Sequence, residues 1–198
     1  MAAICVYCAS SQSAPAGYVD LAAQVGAEIA RRGHSLVSGG GSISAMGAVA
    51  RAAREGGAHT TGVIPALLLK LEVGDVEADE LVVVDDMRAR KGEMERRSDA
   101  FIALPGGIGT LEELVEIWVG GVLGFHAKPL VIVDPDDLYA GLRLQAKTMV
   151  ERGLVQQPAV DRLLWASTAV EAIDIVEREI GNVQPAHPSA EELLESEP

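Results

Sequence analysis

The chain has 198 residues and a formal net charge of -13, from 29 acidic against 16 basic side chains. That balance excludes a protein that coats a nucleic-acid duplex, which needs a basic face, so any anionic ligand must be held by a local site against the overall field. With 48% hydrophobic and only 4% aromatic residues, one α/β domain with a core of Val, Leu, Ile and Ala is expected.

In chain order, Ala3–Ala9 reads as a buried strand. It carries the only two cysteines, Cys5 and Cys8, whose spacing on a strand sends them to opposite faces. No second pair completes a metal site, so structural thiols are expected. No basic leader precedes this run and no apolar stretch reaches bilayer length, so the expectation is a cytoplasmic protein that does not enter membranes. A helix over Tyr18–Arg32 ends at Gly33, strand His34–Ser38 follows, and helix Ala45–Glu55 stops at Gly56 and Gly57. Next come strand His59–Ile64, a loop from Pro65, strand Leu81–Asp85, helix Met87–Ser98 and strand Ala100–Leu104. Helix Leu111–Val119, strand Leu130–Val133, helix Leu138–Arg152 and helix Ala169–Ile180 complete the pattern. Strands apolar on both faces, alternating with helices, predict a Rossmann-like, doubly wound parallel sheet in one domain over residues 1–180. Residues 181–198, with prolines among glutamates, read as a disordered acidic tail.

Ligands of such sheets bind beyond the carboxyl ends of the strands, and three tips stand out. Cys8-Ala9-Ser10-Ser11 places hydroxyls where a dinucleotide fold has glycines, and Ser11 is either a ligand contact or a turn residue. Ser38-Gly39-Gly40-Gly41-Ser42 precedes a helix, so Gly40 and Gly41 either make a tight turn or let a ligand approach the backbone. Its third motif position is Ser44 rather than glycine, and no acidic residue for an adenosine ribose ends the next strand.

The third tip, Leu104-Pro105-Gly106-Gly107-Ile108-Gly109-Thr110-Leu111-Glu112-Glu113, turns a strand into a helix. Its glycines can aim amides at one anion, but no lysine follows as in a phosphoryl-transfer loop, which suits a phosphate that does not react. Thr110 and Glu113 have the spacing of a capping box. Alternatively, Glu113 faces a sugar whose phosphate the loop holds, with Glu112 pointing elsewhere. Upstream, Arg88-Ala89-Arg90-Lys91 and Arg96-Arg97 crowd one helix, either as a solvated face or as an anion site. Arg90, Met94 and Arg97 share one side of it, and Met94 is a core residue or a wall for a flat base.

Taken together, these residues resemble the Lonely Guy (LOG) family, the cytokinin riboside 5′-monophosphate phosphoribohydrolases. The family's P-G-G-x-G-T-x-x-E stands here as Pro105 to Glu113, its Arg-Lys pair as Arg90 and Lys91, and C-A-S-S as Cys8 to Ser11. Its G-G-G-x-x-G-x-M-G is matched from Gly39 to Gly47, except that Ser44 and Ala45 replace glycine and leucine. The resemblance spans residues 3 to 180. It implies hydrolysis of an N6-prenylated adenosine monophosphate, with AMP accepted more weakly, to free base and ribose 5-phosphate. Arg90 and Glu113 would be catalytic. Ser11, Gly40, Gly41, Arg90, Lys91, Met94, Gly106, Gly107, Ile108, Gly109 and Thr110 would bind substrate or its phosphate. No metal or other cofactor is called for. A homodimer is implied, with Trp118 and the Gly120–Phe125 segment as interface or, for Trp118, core. The alternatives are a non-catalytic nucleotide-binding module and an amino-acid decarboxylase, a label that the family has also carried.

Overall fold

Seven short apolar runs pair into one parallel sheet in the computed structural model, which describes residues 1–70 and 74–182. In chain order the elements are β1 (Ala3–Tyr7), α1 (Ala16–Arg31), β2 (Ser35–Ser38), α2 (Ser44–Glu55), β3 (Thr60–Pro65), α3 (Ala66–Lys70) and β4 (Glu80–Val84). The second half holds α4 (Met87–Arg96), β5 (Ala100–Ala103), α5 (Ile108–Val122), β6 (Leu130–Val133), α6 (Ala140–Glu151), α7 (Gln157–Asp161), β7 (Leu163–Ala166) and α8 (Ala169–Ile180).

The strand order is β4-β3-β2-β1-β5-β6-β7. The chain winds outward from β1 to β4, then α4 returns it to β5 on the other edge of β1. Cys5 therefore has Val37 of β2 on one side and Phe101 of β5 on the other. Where winding reverses, the connections leave β1 and β5 in opposite directions and a crevice opens beyond their carboxyl ends.

Alternation along β1 divides the core. Ile4 and Val6 pack with Leu21 and Val25 of α1, Val49 of α2 and Ile173 of α8. Cys5 and Tyr7 pack with Met94 of α4, then Leu114 and Ile117 of α5, on the other face. Fully burying one such aliphatic side chain contributes roughly 1.5–3 kcal/mol. Cys8 belongs to the first cluster and Cys5 to the second, so no disulfide or shared metal is open to them. Burial raises both thiols, Cys5 up to about 12. On the first face α1 and α2 approach so closely that a Cβ on Gly26 would stand 2.2 Å from the Val49 carbonyl oxygen.

The expected architecture is present, with three additions: α3, α7 and β7. Leu163–Ala166 is too short to display a period, and α3 lies in the region read as loop after Pro65. Trp118 is a core residue: it is buried and its indole N–H donates to the Ala159 carbonyl at 2.6 Å. From residue 183 onward the acidic tail lies outside the described residues. Among the described residues, no helix is long and apolar enough to cross a membrane.

Candidate active site

At the β1–β5 reversal lies a cleft of about 470 Å³. One end is built by the turn from β5 into α5. Gly107, extended at φ -88° and ψ -160°, precedes the helix, which starts without a side-chain cap. Leu111 is the residue whose amide reaches back to Gly107, at 3.0 Å, leaving Ile108, Gly109 and Thr110 in the first turn, where amides lack an intrahelical acceptor. These three and Gly107 line the cleft, whereas Gly106 lies behind it. Gly106 is needed there because a Cβ would come 2.2 Å from Thr110 Oγ1. Aligned amides at a helix start attract an anion. Ser10 and Ser11 of the β1–α1 loop form the facing wall.

This geometry overturns the capping-box alternative. The helix begins at Ile108, three residues before the expected Leu111, so Thr110 is inside it and Glu113 is not committed to its start. Glu113 is 9% exposed and lines the cleft. Its Oε1 lies 3.5 Å from Arg90 Nη1. Burial pushes the Glu113 carboxyl up to about 7. Arg90 pulls the other way, Glu112 adds to the rise, and Lys91 and Glu116 act more weakly in opposite senses. A carboxyl that titrates near neutrality can exchange a proton or stabilise a developing cation.

Arg90 is 6% exposed. Asp86 caps α4 by accepting from the Ala89 amide at 2.8 Å, which sets the helix start one turn before Arg90. Its Nε donates to the Val63 carbonyl at 3.1 Å and its Nη2 to the Gly39 carbonyl at 3.0 Å. The guanidinium is thus moored to β3 and to the turn after β2, and Nη1 donates to Glu113 at 3.5 Å with Met87 Sδ at 3.9 Å.

The glycine loop after β2 serves this mooring more than it offers amides. The Gly40 amide donates to Ser38 Oγ and the Gly41 amide to Met46 Sδ, while the Gly40 carbonyl accepts from Asp75. Gly41 lines the cleft and Gly40 does not. At φ +68°, with a Cβ position 3.1 Å from the Val63 backbone, Gly40 makes the tight turn. Ser44 sits at φ 54°, the left-handed conformation that glycine adopts most easily, and its buried hydroxyl has no hydrogen-bond partner among the described residues.

Of the remaining expected site residues, Lys91 and Met94 lie elsewhere. Lys91 Nζ bonds Glu112 at 2.5 Å and Glu116 at 2.8 Å, clasping α4 to α5. Met94 is 1% exposed, in the core beside Phe101. Arg97 pairs with Glu80 at 2.9 Å, on β4. The apolar wall is built instead by Ile43, Met46, Ile64, Leu68, Met87 and Ile108, of which only Ile108 is foreseen in the sequence. Glu112 also reaches the cleft rim, against expectation. A methionine one turn before Arg90, at Met87, is the signal that could have located this wall.

Known proteins resemble this chain in sequence and in fold. The family model described as "Possible lysine decarboxylase" matches residues 46–176. The cytokinin riboside 5′-monophosphate phosphoribohydrolase of Mycobacterium tuberculosis is 51% identical over 170 residues, covering 86% of this chain and 90% of that protein. One from Arabidopsis thaliana is 42% identical over 186 residues, covering 94% and 85%. A molybdenum cofactor binding protein from Rippkaea orientalis shares the fold, with TM-score 0.70 at 23% identity over 90% of this chain and 96% of that one. With its P-G-G-x-G-T-x-x-E loop at the sheet reversal and relatives of this identity over most of its length, the chain belongs to the Lonely Guy family of cytokinin riboside 5′-monophosphate phosphoribohydrolases.

Proposed function

We propose that this protein hydrolyses the N-glycosidic bond of N6-prenylated adenosine 5′-monophosphates, and of AMP more weakly, giving free base and ribose 5-phosphate. The observation that carries the reading is Glu113: a buried carboxylate, free of helix capping, that lies 3.5 Å from Arg90 in a cleft ending at an uncapped helix start.

The 5′-phosphate binds the amides of Ile108, Gly109 and Thr110, with Gly107 and Ser11 beside it. That unreactive anchor spends its binding energy on placing the ribose. As the bond between C1′ and the base nitrogen lengthens, positive charge grows on the ribose, and the Glu113 carboxylate stabilises it. Water adds hydroxide to C1′, and its proton leaves through Glu113 toward the departing base. Arg90 favours the ionised form of Glu113 against its burial and holds the carboxylate in place. Ile43, Met46, Ile64, Leu68 and Met87 suit a flat base carrying an aliphatic chain. Lys91 acts from outside the cleft, by holding α4 against α5.

The protein acts in the cytoplasm as a homodimer over residues 1–180. Supporting the dimer, Val119, Val122, Leu123 and Phe125 at the end of α5 are all exposed, a cluster of the kind that marks an interface. A decarboxylase using a lysine Schiff base is not favoured, since among the described residues no lysine lines the cleft. The test incubates the purified protein with isopentenyladenosine monophosphate and with AMP, and separates products by chromatography. Free base from the prenylated nucleotide, faster than from AMP, is expected. No base from either overturns the hydrolase reading, and base from AMP alone overturns the prenyl preference.

A further inference from the structure

Gly39 ends the β2 tip and differs from the glycines that follow it. Its carbonyl accepts from Arg90 Nη2 at 3.0 Å. An ideal Cβ built on it would stand 1.6 Å from that same Nη2 and 2.7 Å from Cζ. Its φ lies outside the left-handed region, unlike that of Gly40 at +68°, so the backbone at 39 accepts an L side chain without strain. The next obstacle is Met46 Cε at 3.2 Å, also the far end of a flexible side chain. Chain conformation therefore does not require glycine here. The space is required by the guanidinium.

We propose that Gly39 is a positioning residue: the room left by its missing side chain is the slot that seats Arg90 and so fixes where Nη1 meets Glu113. For catalysis this rests on the Arg90–Glu113 assignment above. Arg90 is moored at Val63, Gly39 and Glu113, and a methyl group in the slot pushes Nη2 off the Gly39 carbonyl and turns Nη1 away. The charged and titratable groups facing Glu113 are Arg90 and Lys91 from α4, Glu112 and Glu116 from α5, and Cys5, Tyr7 and Cys8 from the β1 side. With Arg90 displaced, Lys91 is left to oppose burial and the two neighbouring glutamates among the described residues.

The experiment compares wild type with Gly39→Ala in the full chain. The Glu113 carboxyl is titrated in the free protein by carbon-13 NMR, its signal identified by loss in Glu113→Gln. The expected result is a melting temperature lowered by roughly 2–6 °C, since the buried Gly39 carbonyl loses its donor, a Glu113 midpoint raised by about one pH unit, and kcat down about 10²-fold with KM changed far less. An unmoved midpoint with wild-type kcat overturns the proposal. Should Gly39→Ala fold poorly, the same change is made in Arg90→Ala, where nothing fills the slot. There it is expected to cost no further stability, and an equal loss in both backgrounds overturns the proposal. If wild type releases no base while the midpoint still moves in Gly39→Ala, the hydrolase reading fails and the seating of Arg90 by Gly39 stands.

Discussion

The Tyr139 hydroxyl donates to the Leu104 carbonyl at 2.8 Å, bracing the end of β5 immediately before the turn that becomes the anion-facing start of α5. Tyr139 is held in turn by its own amide, which donates to Asp134 Oδ2 at 3.2 Å. Tyr139→Phe leaves a buried carbonyl unpaired, which costs about 1–2 kcal/mol. The melting temperature should fall by roughly 2–6 °C in a chain of this size. Because the loop loses its brace while the Arg90–Glu113 pair does not, KM for a 5′-phosphorylated substrate rises by up to about tenfold and kcat barely moves. Thermal melts with steady-state kinetics check both.

The Glu113 carboxyl, raised by burial to about 7, gives the reaction an acid limb. The carboxylate is the working form, so kcat/KM falls tenfold per pH unit below the midpoint and levels off above it. Stability runs the opposite way. The folded state binds this proton more tightly than the unfolded chain, so the contribution is fully present below the ordinary value of 4.5 and is lost as pH rises through about 7. Glu113→Gln should therefore gain on wild type between pH 4 and pH 8, by at most on the order of 3 kcal/mol. Urea unfolding at the two pH values measures the gain.

Lys91 bears on the same titration from outside the cleft. Its ammonium neutralises Glu112 and Glu116, which flank Glu113 on α5. Lys91→Met leaves both carboxylates unopposed, so the acid limb of kcat/KM should move to higher pH, by about half a unit to one unit. KM at pH 9, where Glu113 is ionised in both proteins, should stay within about threefold of wild type, since Lys91 does not line the cleft. A pH series of initial rates distinguishes this from a direct contact with substrate, which would raise KM at every pH.

Ser44 occupies a left-handed backbone position at φ 54° and buries its hydroxyl without a partner among the described residues. Ser44→Gly removes the strain and the orphaned group together, offset in part by glycine's greater freedom when unfolded. A net stabilisation of about 1 kcal/mol is expected, with activity retained. Ser44→Val should destabilise by more than that, since a β-branched residue tolerates this region poorly. Calorimetry on the three proteins provides the comparison.

Much of the fold is legible in the sequence because each parallel strand is apolar on both faces and each crossover has a helical period. The exceptions have local causes. Leu163–Ala166 offers four residues and no period. The start of α5 is hidden because Thr110 and Glu113 mimic a capping pair, whereas the extended Gly107 lets the helix begin at Ile108. Glu113 and Arg90 are legible through motif spacing. Lys91 is misjudged because neighbouring helical residues diverge: Arg90 turns into the cleft and Lys91 toward α5. The Gly39–Arg90 contact joins residues 51 apart, and only the folded sheet brings them together.

Glu113→Gln tests the central claim most directly, with turnover and nucleotide binding measured on the same preparation. The account predicts that release of base from isopentenyladenosine monophosphate falls by about 10²- to 10⁴-fold, while calorimetric affinity for that nucleotide stays close to that of wild type. Turnover that survives the substitution would contradict it, because among the described residues no other carboxylate in the cleft pairs with Arg90.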